Sequence, residues 1–138
     1  MSAPAGPGPF VTHGTVTWSE TDASGRYHFT APLRWAEDAE HAFYRSAGTG
    51  TIVGGFPRRA VSVDYSRPLE AGDAYTVELS AEKAGRTSIG YRWRVLGPGG
   101  PCAEGRHTVV HVDESGRPAP LPDALRAALG TIAGDGTV

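Results

Sequence analysis

Apolar and polar residues alternate through most of the second half of the chain. Val61, Val63 and Tyr65 alternate with Ser62 and Asp64. Tyr75, Val77, Leu79 and Ala81 alternate with Thr76, Glu78 and Ser80, and Ile89, Tyr91, Trp93 and Val95 alternate with Arg92 and Arg94. A period of two puts one set of side chains on one face of a half-buried strand. Strands are therefore predicted over residues 59–65, 75–81 and 89–95, with a longer one over 102–113. Pro68 with the run 70–73, the run 84–86, and Gly97-Pro-Gly-Gly100 supply the turns between them. Near the start, Val11, Thr15, Val16, Thr17 and Trp18 favour a strand over 10–19. Only residues 31–47 switch to a helical period. Ala36, Ala39, Phe43 and Ala47 form one stripe, with Trp35 and Ala42 beside it. Thr30 suits the N-cap and Pro32 the first turn, while Gly48 and Gly50 end the helix. A short second helix over 123–129, capped by Asp123, closes the chain.

The order strand, helix, four strands, short helix predicts an α+β layer. An antiparallel sheet of about five strands wraps one central helix. One helix cannot cover both faces of such a sheet, so a second copy is expected to cover the remainder, as a homodimer or homotetramer. Residues 1–9 read as a disordered Pro/Gly-rich tail, 10–130 as a single domain and 131–138 as a frayed end.

Composition narrows the function classes. At 138 residues the chain supports one core. A net charge of −2 with 20% charged residues gives no bulk case for nucleic acid or an anionic membrane. One cysteine, Cys102, excludes an internal disulfide framework and a thiolate metal cluster. The five histidines form no ligand cluster, so neither a metal nor another cofactor is expected. The N-terminus lacks a signal-peptide pattern, and no apolar run approaches the roughly 20 residues of a membrane span. A soluble, cytoplasmic protein is expected.

The candidate chemistry sits at residues 18–35. Asp22 lies in a turn closed by Gly25, just ahead of the helix start. A helix N-terminus offers free backbone N–H groups to an oxyanion, and an adjacent carboxylate can attack a carbonyl or move protons. A turn aspartate is the competing reading of Asp22, and Thr21 is a possible brace for it. His28 could orient water or contact a substrate. Glu37 and Glu40, on the helix, read as solvated or structural. Ser24 is not a nucleophile elbow, because the G-x-S-x-G pattern is missing.

Three segments resemble the hotdog-fold acyl-CoA thioesterases of the 4-hydroxybenzoyl-CoA thioesterase-like family. Glu20-Thr-Asp22-Ala-Ser-Gly25 and the helix that follows are similar to the family's D-T-D-x-x-G loop and helix. The stretch from Val61 through Tyr65 and Pro68 to Asp73 resembles its Y-x-x-P-x-x-x-G-D strand and turn. Gly85-Arg-Thr-Ser88 and Gly116-Arg-Pro118-Ala-Pro-Leu-Pro122 complete the set, so the resemblance spans about residues 10–130. It implies a hotdog fold and release of an acyl or aroyl group from a CoA or acyl-carrier-protein thioester. Asp22 would be the catalytic carboxylate, as nucleophile or as general base for water. The backbone near Phe29 and Thr30 would polarise the carbonyl, with Gly25 and His28 beside the substrate. The resemblance also implies sites at a dimer interface and basic groups for the CoA phosphates, at Lys83 and Arg86, with Arg58 and Arg59 as further candidates. One departure stands out: relatives carry a polar His or Asn where Phe29 aligns, and His28 comes one place early. Leu33-Arg34-Trp35 is also similar to the enediyne polyketide thioesterases, which have Asn in place of Asp22. This adds Arg34 and Trp35 as candidate substrate contacts and a polyketide as a possible acyl group. The alternative is a hotdog protein that binds an acyl thioester without hydrolysis, or a dehydratase or cyclase accessory. The Asp/His pair of the hydratase branch is missing.

Overall fold

The sheet contains β1 (Phe10–Thr15), β2 (Arg58–Tyr65), β3 (Ala74–Ala84), β4 (Ser88–Gly97) and β5 (Gly100–Val110). The helices are α1 (Ala31–Ser46) and α2 (Asp123–Thr131). The computed structural model describes residues 6–49 and 55–134. The spatial strand order is β1-β3-β4-β5-β2, and every pairing is antiparallel. No helix among the described residues is long and apolar enough to cross a membrane.

The predicted alternation sets the inner face. Val77, Leu79 and Ala81 of β3 and Ile89, Tyr91, Trp93 and Val95 of β4 are buried. They meet the buried stripe of α1, which includes Trp35, Ala36, Ala39 and Phe43. Ala42 and Ala47 are only half-buried, and the stripe widens instead to Tyr44 and the carboxylate of Glu40. Glu40 is therefore not a solvated helix residue: its exposure is 0%.

The helix ends differ in detail from expectation. Pro32 occupies the first turn of α1, but Thr30 makes no side-chain cap bond. Its hydroxyl pairs with His28 Nδ1 at 2.7 Å, which removes it from the capping position. Gly48 takes the left-handed φ of 75° that ends the helix. Gly50 lies outside the described residues. Asp123 is the first residue of α2 and caps nothing, since the N-cap position falls on Pro122. Beyond α2, residues 132–134 pack rather than fray. Ile132 is buried, and Ala81 N–H and Gly134 N–H join the strand and this tail through bonds of 2.8 and 3.0 Å. At the other end, Gly8 N–H donates to Thr131 O at 3.2 Å, so the described part of the N-terminal tail, residues 6–9, is also tied down.

Two strands stop early. β1 ends at Thr15, and Trp18 lies in a single 3-10 turn, Trp18–Glu20, with its ring 82% exposed. The chain turns there because Glu20 Oε1 accepts the Thr17 N–H. β5 ends at Val110, and Val112 bridges to Pro118 instead of continuing the ladder.

The outer face of the sheet is polar and laced by ion pairs, Arg94 to Glu78 at 2.7 Å and Arg106 to Glu82 at 2.8 Å. It presents little apolar area in need of a cover. β2, predicted half-buried, is instead an exposed edge: among the described residues it pairs only with β5, and Val61 and Tyr65 are 49% and 45% exposed.

Candidate active site

The Asp22 loop is a closed hairpin held from several sides. Asp22 N–H donates to Arg26 O and Gly25 N–H to Asp22 O, both at 2.9 Å. Gly25 adopts φ 80°, which favours glycine. Tyr27 N–H reaches Leu69 O at 2.9 Å, and Arg26 bridges to Glu70, so the loop leans on the turn that precedes β3. Glu20 ties it to the helix. Its backbone O accepts the His28 N–H at 2.7 Å, and its Oε2 accepts the Trp35 indole N–H at 2.7 Å.

Within this loop Asp22 is exposed, and its Oδ1 accepts the hydroxyl and the N–H of Ser24. These two bonds, the hydroxyl foremost, hold the carboxyl below its ordinary range, so it is ionised at neutral pH. Oδ2 has no partner among the described residues and is the oxygen open to chemistry. Thr21 does not brace it, because its hydroxyl donates to Trp18 O at 2.6 Å.

Next along the chain stands the helix entrance. Thr30 N–H is taken by His28 Nδ1 at 3.2 Å, and Ala31 N–H by His28 O at 2.9 Å. Phe29 N–H has no partner among the described residues, so of the two backbone donors expected here only Phe29 is free. The Phe29 carbonyl accepts the Tyr65 hydroxyl, and the Phe29 ring lies 4.5 Å from the His28 ring and is 63% exposed. Asp22, Arg26, Phe29, Tyr65 and Arg67 line one open depression of about 350 Å³. Asp22, with its free carboxylate oxygen, and Phe29, with its free N–H, thus line the same depression as Arg26 and Arg67, and the Arg67 guanidinium donates to the Gly99 carbonyl.

Sequence reasoning missed Arg26 and Arg67, which are 41 positions apart and meet only because the hairpin packs on the turn after β2. Other predicted contacts lie elsewhere. Trp35 is 1% exposed and stacks on Tyr75 at 4.2 Å, so it packs in the core. Lys83 and Arg86 sit at the far end of β3, whose near end adjoins the Asp22 loop. At about 3.4 Å per residue, that is roughly 30 Å away within one chain. Arg58 is bound by Glu40 at 2.7 Å and Glu37 at 3.7 Å. Arg34 and Thr30 line a second cavity of about 290 Å³, between α1 and β2. Gly25 stays by the carboxylate, with no atom within 4 Å of where a side chain would begin.

Residues 16–129 match the family model described as the thioesterase-like superfamily. A 1,4-dihydroxy-2-naphthoyl-CoA hydrolase of Synechococcus sp. (strain CC9605) is 32% identical over 124 residues, covering 80% of this chain and 83% of that protein. Among solved structures, a predicted thioesterase from Bacillus stearothermophilus is 28% identical with a TM-score of 0.82, over 91% of this chain and 96% of that one. The dynemicin thioesterase superposes with a TM-score of 0.82 at 23% identity, over 91% and 98% of the two chains, which shows a shared fold.

Proposed function

This chain belongs to the thioesterase-like superfamily, and from that premise we propose that Asp22 and the Phe29 N–H carry out its thioester hydrolysis. The chain is a thioester hydrolase with a hotdog fold, and acyl-CoA is its substrate class. The observation that carries the catalytic assignment is that Asp22 and Phe29 line one depression and each keeps an unpartnered group, Oδ2 and the backbone N–H. The thioester oxygen accepts from Phe29 N–H, where the positive end of α1 favours the developing negative charge. Asp22 Oδ2 either attacks the carbonyl carbon or takes a proton from the water that does. The C–S bond then breaks and the thiolate leaves; where Asp22 is the nucleophile, water next cleaves the acyl anhydride on Asp22, releasing the acid and restoring the carboxylate. Free-thiol detection with the Asp22 variants tests this reading directly.

Arg26 suits the phosphates of the carrier, since a guanidinium group binds phosphate bidentately, whereas Arg67 lines the same depression with its guanidinium donating to the Gly99 carbonyl. Phosphate chemistry is common to CoA and to the arm of a carrier protein. The name of the Synechococcus relative favours an aroyl group on CoA for this chain.

Tyr65 acts through Phe29 as a positioning residue. Tyr65→Phe removes the hydroxyl that fixes the Phe29 carbonyl. The expected result is a fall in kcat of about tenfold, the worth of one such hydrogen bond, with KM nearly unchanged. Steady-state kinetics on an aroyl-CoA checks it; an unaltered kcat would remove Tyr65 from the site.

The assembly is a homodimer through β2. A free strand edge carrying Val61 and Tyr65 is a template for pairing with a second copy. Light scattering is expected to give twice the monomer mass, and a monomer at micromolar concentration would overturn this assignment.

A further inference from the structure

The outer face of the sheet carries a pocket that the thioester chemistry does not use. Glu78, Ser80 and Glu82 of β3 line it, with Arg92 and Arg94 of β4 and Gly134 of the tail that pairs with β3. Its volume is about 240 Å³, below the roughly 300 Å³ at which pockets for drug-sized ligands begin, so it suits a small ligand. Strand alternation makes this face. Leu79, Ala81, Tyr91 and Trp93 are buried on the α1 side, which leaves the even-numbered residues between them on the other. The pocket shares no lining residue with the Asp22 depression.

Both carboxylates in the lining are already matched. Glu78 Oε1 accepts from Arg94 Nε at 3.1 Å and from its Nη2 at 2.7 Å. Glu82 Oε1 accepts from Arg106 Nε at 2.8 Å, a bond that spans β4 from β5. Glu104, another acid on this face, stands opposite Arg94 on β5 and does not line the pocket.

Arg92 is not matched. Its guanidinium makes no hydrogen bond or ion pair among the described residues. It stands opposite Ser80 on one side and opposite Arg106 on the other. Like charges directly opposite on an antiparallel pair repel. The Ser80 hydroxyl has no partner among the described residues either, and the Arg94–Glu78 pair leaves Arg94 Nη1 unused. Arg92, Arg94 and Arg106 thus outnumber Glu78 and Glu82, and the spare donors are gathered in one pocket.

A guanidinium fork with a hydroxyl beside it matches the several acceptor oxygens of a phosphate-type ion. We propose that this pocket binds a small free oxyanion of the phosphate class, held by the Arg92 guanidinium and the Ser80 hydroxyl, with Arg94 Nη1 as a further donor. The ion offsets the repulsion between Arg92 and Arg106. The site stands apart from Arg26, which serves the phosphates of the carrier.

The probe is inorganic phosphate, titrated calorimetrically at fixed ionic strength into the full chain carrying Arg26→Ala, so that the carrier's phosphate contact does not contribute. One equivalent is expected to bind. Adding Arg92→Ala should weaken that binding about tenfold or more, the worth of a hydrogen bond to a charged group. Arg92 is exposed, so the variant should stay folded, and its thermal unfolding without phosphate checks this. Arg45→Ala, which removes an exposed charge at the end of α1, should leave phosphate binding unchanged. No binding to the Arg26→Ala chain, undiminished binding after Arg92→Ala, or an equal loss in Arg45→Ala would overturn the proposal. CoA separates the source of the phosphate: its affinity for Arg92→Ala alone should equal that for the unaltered chain. A tenfold loss there would overturn the assignment to a free oxyanion and give the pocket to the carrier.

Discussion

Asp22→Ala is expected to lower acyl-CoA turnover by about 10³-fold, within the range for removal of a positioned acid, base or nucleophile. Thiol release measured alongside thermal unfolding checks it. The variant should stay folded, because the carboxylate is exposed and its only bonds among the described residues go to Ser24 in the same turn. Asp22→Asn separates geometry from charge: it can still accept from Ser24, but it offers no anionic oxygen. Near-wild-type release by the alanine variant would end the assignment. The pH dependence has a definite sign. The active form is the carboxylate, and the Ser24 hydroxyl and N–H hold its pKa below the ordinary 3.8. The acid limb of kcat/KM should therefore lie below pH 3.8, with activity lost only as the pH falls through that lowered value.

The largest effect on stability is expected at Glu40. It is fully buried and gathers His107, Tyr44 and Arg58 around one carboxylate. Glu40→Ala removes the common acceptor and leaves the donors facing a void. The expected cost is about 3–5 kcal/mol, as for breaking a buried ion pair by deleting one partner. For a chain of this size that corresponds to a fall in Tm of roughly 10 °C or more. Calorimetry checks it, and a change under about 2 °C would show that the network contributes little. Burial raises the Glu40 pKa, but the bonds from His107, Arg58 and Tyr44 together outweigh it and leave the value lowered in the folded chain. The linked stability is then present above the ordinary glutamate value of 4.5 and is lost as the pH falls through the lower folded value. Glu40→Gln should abolish that part of the acid sensitivity.

Much of the fold was legible because side-chain alternation is local. Val77, Leu79 and Ala81 declare the buried face of β3 without reference to any other strand, and Ala36, Ala39 and Phe43 do the same for α1. The candidate carboxylate was legible for a related reason: Asp22, Gly25 and the helix start are contiguous in sequence. What failed depended on partners distant along the chain. Glu40 reads equally as solvated or structural until His107 and Arg58 are brought to it from β5 and β2. Alternation in β2 predicts a buried face, but burial needs a neighbour, and β2 has one only on its β5 side. Lys83 and Arg86 lie far along β3 from the Asp22 loop of the same chain, so a phosphate role for them would need the second copy to bring them to the site.

By itself, then, the sequence determined the elements, their order and the one acid poised before a helix, since each follows from spacing along the backbone. The tertiary structure decided which donors are free and which cations share the acid's surface. Thr30 N–H is consumed by His28 while Phe29 N–H is not, and Arg26 and Arg67 converge through packing rather than proximity in sequence. Hydrogen bonds have a limited number of partners, and which ones are taken is settled only when the whole chain is folded.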